Sequence, residues 1–208
     1  MNIAIVTPWH NHLELAADYF GAVSVLRGLD ELVIVDCGSE PRLEFATAYP
    51  GTNLGFCGGS NYGLNAATAD AVLFLNNDIR RLRATWLEEI RALVEPGVLV
   101  GQLRNGLHTS VENTLLPYQD GWCLAGMRDD LLALGGFDET LEEPAYFSDN
   151  LLCLEARARG MTLADLRIGL EHLENVTAGP AWDPRVQAAT TSNRARYQAR
   201  ARELLVAS

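Results

Sequence analysis

Asn76, Asn77 and Asp78 follow directly on an apolar run that ends at Leu75, and together they offer one carboxylate and two amide oxygens. Such oxygens suit a hard cation, Mg²⁺ or Mn²⁺, which takes one or two carboxylates from a protein and fills its remaining positions with water or substrate phosphate. Asp36 closes a second apolar run, residues 32–36, and Thr7 closes a third, residues 3–7. Between Asn53 and Gly63 stand Gly55, Gly58, Gly59 and Gly63, whose missing side chains let backbone approach a ligand closely at the start of a helix. Further along, Asp149 and His172 add a carboxylate and an imidazole. Both group types move protons, and imidazole also binds metals.

These groups need elements that bring them together. Runs 3–7, 32–36 and 72–76 are short and continuously apolar, and each closes on a polar residue, which is the pattern of strands buried on both faces of a parallel sheet. Leu13, Ala16, Ala17 and Phe20 have the spacing of an amphipathic helix, the glycine-rich turn leads into a second, and Trp86, Ile90 and Leu93 mark a third. Beyond residue 97 the order reads as strands 98–103 and 123–127, helix 129–134, helix 149–159 stopping at Gly160, strand 163–170 and a closing helix 185–206. The expected class is α/β, a mostly parallel central sheet flanked by helices. Ligands of an open parallel sheet sit outside the carboxyl ends of its strands, so Thr7, Asp36, Asn76 to Asp78 and the 53–63 loop are expected along one edge.

With 208 residues, 48% hydrophobic and 21% charged, the composition is that of one globular domain. The net charge is −11, and all 16 basic residues are arginine; an acidic surface repels polyanions, which argues against general nucleic-acid binding. Cys37, Cys57, Cys123 and Cys153 form no CxxC pair, so reduced, buried thiols are expected. No apolar stretch approaches the roughly 20 residues of a membrane span, and the first residues lack a basic end followed by an apolar run, so a cytoplasmic location is expected. The turn after the first run, Thr7 to Asn11, has no glycine, which excludes a dinucleotide fingerprint there, and no GxxxxGK[ST] occurs.

Several ordered motifs, Val35-Asp36-Cys37-Gly38-Ser39, then Asn53-Leu54-Gly55-Phe56 with Gly58, Asn61 and Gly63, then Leu75-Asn76-Asn77-Asp78, resemble the family-2 glycosyltransferases of the GT-A fold, rhamnosyltransferase-like members in particular. Gly135-Gly136-Phe137-Asp138-Glu139 resembles the family's acceptor-side segment, and Tyr146 to Cys153 its acidic helix start. The resemblance covers roughly residues 3–177, and it implies a GT-A domain over 1–180, with 1–95 binding the nucleotide sugar and 96–180 the acceptor; helix 181–208 packs on or extends it. It further implies an inverting, non-processive transfer of one sugar from a UDP- or dTDP-type donor to an acceptor hydroxyl. The acceptor is a glycan, a lipid-linked sugar, a small molecule or a hydroxylated DNA base.

By the same resemblance Asp36 accepts from the base of the nucleotide, with Thr7 and Pro8 beside it, and Asn53, Gly55, Gly58, Asn61, Asn76 and Asn77 complete the donor site. Asp78 and His172 hold the metal, and Asp149 is the general base. Ser148, Leu151 and Glu155 depart from the family pattern, which motivates a second reading, an inactive sugar-nucleotide binder. A third, a sugar-phosphate nucleotidyltransferase, wants a basic phosphate loop that Thr7 to His12 lack. Asp149 read without the family is a helix cap. Arg194, Arg196, Arg200 and Arg202 read as a solvated helix face, or as a guide for a phosphate-bearing acceptor.

Overall fold

In the computed structural model, residues 1–105, 110–166, 171–172 and 182–206 are described. The first apolar run forms β1 (Ile3–Trp9), and a short 3₁₀ turn leads into α1 (Ala16–Val23). Then follow β2 (Glu31–Asp36), α2 (Gly55–Ala66), β3 (Ala71–Leu75), β4 (Ile79–Arg81) and α3 (Trp86–Leu93). The second half adds β5 (Val98–Arg104), β6 (Tyr118–Met127), α4 (Arg128–Leu134), α5 (Ser148–Ala158), β7 (Thr162–Asp165), β8 (Glu171–His172) and α6 (Pro184–Val206).

The main sheet has the order β2-β1-β3-β6-β5-β7. β2 and β3 flank β1 in parallel, β7 lies parallel to β5, and β6 runs antiparallel to both β3 and β5. The pleat divides the apolar runs between two layers. Ile3, Ile5, Ile34, Leu73 and Leu75 pack with Tyr19 of α1 and with Trp86 and Ile90 of α3. Ala4, Val6, Val35, Val72 and Phe74 pack on the other face with Leu64 of α2, Leu131 of α4 and Cys153 of α5. Strands covered on both faces must be apolar throughout, which is why these runs do not alternate. A third cluster, with Phe147, Leu151 and Leu154 against Tyr197 and Ala201, docks α6 on α5. All four cysteines are buried free thiols, and among the described residues no helix is long and apolar enough to cross a membrane.

Several elements differ from the expectation. β1 runs on to Trp9, two residues past the expected end at Thr7. β6 begins at Tyr118, five residues before the expected start, because Gln119 and Asp120 break the apolar run without breaking the strand. Gln119 is fully buried and its amide donates to the carbonyls of Leu99 (2.9 Å) and Ala164 (2.8 Å), beside the irregular register of β5 between Gly101 and Leu103. β7 covers only Thr162–Asp165; residues 167–170 of the expected strand lie outside the described residues. The two-stranded ribbon of β4 and β8, pairing Ile79 with His172, was not expected.

The glycines of α2 let that helix lie close on the sheet. A Cβ on Gly63 would stand 2.3 Å from Val6 Cγ1, and one on Gly59 2.6 Å from Cys37 Sγ. Gly21 in α1 meets nothing within 4 Å. Gly63→Ala is therefore expected to lose about 1–3 kcal/mol by overpacking, whereas Gly21→Ala gains up to about 1 kcal/mol through helix propensity. Urea unfolding of the two variants checks both signs.

Candidate active site

A cavity of about 730 Å³ opens at the carboxyl ends of β1, β2 and β3, a size ordinary for small-molecule sites. β6 is antiparallel, so its beginning meets this edge: Leu75 pairs with Cys123, and the amide of Asn76 donates to the carbonyl of Trp122 at 3.0 Å. Asn76, Asn77 and Asp78 thus line one wall, facing Asp120 to Trp122, and the start of α5 with Ser148 and Asp149 closes another side. Asn77 and Asp78 are almost fully buried.

Asp149 is partly buried at the wall. Loss of hydration, reinforced by the charge of Asp120, pushes its carboxyl up to about 6, against hydrogen bonds from the amides of Gly121 (3.0 Å) and Asn150 (2.8 Å). The cap of α5 is Phe147, in the left-handed region at φ 73°, so Asp149 is a first-turn residue and not the cap. Asp120 lies three residues before the strand expected from sequence. It accepts from Arg104 Nε at 2.8 Å and from the Trp122 indole at 3.3 Å.

The other predicted residues divide. Pro8, Asn53 and Gly55 line the cavity, whereas Thr7, Asp36, Gly58 and Asn61 do not. The pleat sends Thr7 to the α1 face, where its hydroxyl lies 2.6 Å from that of Tyr19. Asp36 is buried beneath Cys37, and its two oxygens accept from the amides of Ser39 (2.8 Å) and Leu43 (2.9 Å). Burial opposes its charge, yet these amides prevail and hold the carboxyl below its usual value. Gly58 provides packing room beside Leu54 and Glu139, where a ligand had been expected. Asn61 joins α2 to the 136–139 segment: its oxygen accepts from Phe137 N, and its amide nitrogen donates to Phe137 O and to Glu139, each at 2.8 Å. The first turn of α2 meets the chain's own Glu143, whose carboxylate accepts from Phe56 N at 2.9 Å. Glu143, Asp183 and Arg185 also line the cavity and carry no motif that would mark them in the sequence. His172 pairs through its backbone with Ile79, the residue after Asp78.

The donor set fits a hard cation. Asp78, with the amides of Asn76 and Asn77, presents oxygen only. No group of three or more His, Cys, Asp or Glu among the described residues is arranged to hold a metal alone. A cation here would take the rest of its shell from a ligand's phosphates or water.

The six-stranded sheet with helices packed on both faces is the GT-A fold, shared with the solved structures that follow. The chain is similar to the mannosyltransferase PcManGT of Pyrobaculum calidifontis, solved in complex with GDP-Man and Mn²⁺, at 15% identity over 99% of this chain and 74% of that one, with TM-score 0.64. It is similar to residues 1–349 of S. aureus TarS in complex with UDP, at 14% identity, 99% and 70% coverage and TM-score 0.61. A third likeness is to glucosyl-3-phosphoglycerate synthase of Mycobacterium tuberculosis with Mn²⁺, UDP-Glc and phosphoglyceric acid, at 16% identity, 93% and 80% coverage and TM-score 0.58. No protein-family model and no curated protein matches the chain.

Asn61→Ala removes three hydrogen bonds and leaves the backbone of Phe137 unpaired; the expected loss is about 2–4 kcal/mol, read by urea unfolding. Asp149 titrates higher in the folded than in the unfolded chain, so its contribution is full below about pH 4 and is lost as pH rises through about 6. With solvent screening the decline is about 1–2 kcal/mol. Asp149→Asn should flatten that part of the stability profile.

Proposed function

We propose that this chain is an inverting, metal-assisted glycosyltransferase that moves one sugar from a nucleotide-diphosphate donor to an acceptor hydroxyl. One observation carries the reading: the 76–78 oxygen triplet and the high-titrating Asp149 line one cavity at the strand ends of a GT-A fold. The neighbours solved with GDP-Man, UDP or UDP-Glc support the donor class, and those with Mn²⁺ the cation.

Breaking the anomeric bond puts charge on the diphosphate, and a divalent cation, when bound, neutralises it as a Lewis acid. Asp78 would hold the cation with the amide oxygens of Asn76 and Asn77, and the backbone pairing of His172 with Ile79 supports placing His172 near that shell. Pro8 and Asn53 border the nucleotide, on a wall that Asp36 braces from beneath. Thr7, Gly58 and Asn61 position elements around the donor without touching it. Asp149 takes the proton of the attacking hydroxyl. A carboxyl titrating near 6 is ionised at neutral pH yet more basic than an ordinary aspartate, which suits a general base.

Thermal-shift titration with UDP-, dTDP- and GDP-sugars, with and without Mn²⁺, tests the reading. One nucleotide should stabilise the wild type only with metal, Asp78→Ala should abolish that response, and slow nucleotide release should accompany it. Asp149→Asn should keep donor binding and lower transfer about 10²- to 10⁴-fold. Metal-dependent binding with no release, even with acceptor mixtures, would instead identify an inactive binder. No nucleotide response would refute the donor site.

A further inference from the structure

We propose that a second cavity, between the start of α5 and α6, is the acceptor subsite, and that it takes a sugar ring bearing an anionic substituent, a carboxylate or a phosphate, read by Arg194. The inference rests on the transferase reading above.

This cavity, about 560 Å³, shares Tyr146, Asp149 and Val186 with the larger one but not the 76–78 triplet, so an occupant has access to the proposed base. Tyr146 and Phe147 give it aromatic faces, which suit the C–H face of a sugar. Asn150 lines it at 5% exposure, and its amide nitrogen is buried with no acceptor among the described residues. A buried donor of that kind is costly until it is paired, and a ring hydroxyl would pair it. A hydrocarbon acceptor would leave it unpaired. Thr190, one turn before Arg194, donates its hydroxyl to the carbonyl of Val186 at 2.6 Å and keeps lone pairs for a hydroxyl of the occupant.

The charge argument comes from the arginines of α6. Arg196 donates to Thr140 and stands 3.9 Å from Asp138, Arg200 pairs with Glu155 and Glu203, and Arg202 lies 3.7 Å from Glu112. Arg194 differs: it faces the Phe147 ring at 5.5 Å, lines the cavity, and has no carboxylate partner among the described residues. In a chain of net charge −11, a guanidinium so placed is a specific attractor for a planar or tetrahedral anion. Arg194 lines the second cavity only and Asp149 lines both, so an anion on Arg194 is held outside the larger cavity.

The test measures release of nucleotide from the donor that the thermal panel selects, with three acceptor probes: methyl glucoside, methyl glucuronide and glucose 6-phosphate. At least one anionic probe should show an acceptor KM about tenfold below that of methyl glucoside. Arg194→Gln should erase the difference, Arg194→Lys should retain part of it, and Arg202→Gln, remote from the cavity, should leave it intact. Which anionic probe wins distinguishes carboxylate from phosphate. Equal use of the neutral probe, a preference that survives Arg194→Gln, or no acceleration together with no saturation-transfer NMR signal from any probe overturns the proposal. The donor's thermal shift is read in the same samples. An intact shift with any of these negatives refutes the subsite alone, and a missing shift refutes the transferase reading.

Discussion

The amide of Asn61 ties α2 to the 137–139 segment, and the cavity wall that follows in the chain depends on that tie. Its oxygen and nitrogen pair with both backbone groups of Phe137, as a neighbouring strand would, and its nitrogen also reaches Glu139. The contact demands glycine next door, since a Cβ on Gly136 would stand 2.1 Å from the Asn61 oxygen. Asn193 of α6 repeats the device on Glu142, accepting from its amide at 3.0 Å and donating to its carbonyl at 2.8 Å. The chain between these two clamps has few backbone partners of its own, and the asparagines supply what a sheet would otherwise give. Directly beyond the second clamp come Glu143, against the first turn of α2, and Ser148 and Asp149, at the cavity wall.

With that geometry in place, charge decides what the cavity accepts. Asp78, Asp120, Glu143, Asp149 and Asp183 line it, while Arg185 is the one arginine among the described lining residues and is itself paired with Asp183. A diphosphate entering such a wall alone would meet net repulsion. The same wall attracts a divalent cation, and a cation bound to the diphosphate cancels the charge of the diphosphate, so that the pair meets no net repulsion. The proposed preference for a metal-bound anion thus rests on the whole lining more than on the triplet, whose two amides are neutral. Crowding of carboxylates also raises Asp149: Asp120 adds its repulsion to the loss of hydration, while two backbone amides limit the rise.

The parts that reasoning from sequence reached share one property, a short-range pattern. Runs 3–7, 32–36 and 72–76 are strands because nothing polar interrupts them, and Asn76 to Asp78 lie at an edge because they follow such a run directly. Other roles depended on partners distant in the chain. Asp36 ends its strand as expected and Thr7 lies two residues before the end of its own, yet one ties down the 39–43 turn and the other faces Tyr19. Asn61 read as a ligand contact because its partner, Phe137, lies 76 residues away. Asp120 was hidden because a strand that carries a buried glutamine bonded across to β5 and β7 does not look apolar. The glycines of α2 were recognised as sites of close approach, but what approaches Gly59 and Gly63 is the sheet and its loops.

The departures from the family pattern at the start of α5 take on a physical meaning once α6 is in view. Leu151, standing where an aspartate is usual, is buried in the cluster that holds Tyr197 and Ala201. Glu155, standing where an arginine is usual, pairs instead with Arg200 of α6. An aspartate at 151 would lose its hydration under α6, and an arginine at 155 would face another arginine. Both changes therefore follow from docking this helix, and neither residue lines the larger cavity. Only Ser148 alters that lining, one position before a carboxylate whose two amide contacts and raised titration remain in place. What looks in the sequence like erosion of a catalytic segment is, in three dimensions, mostly the exchange of one packing partner for another, which favours a working base over a retired one.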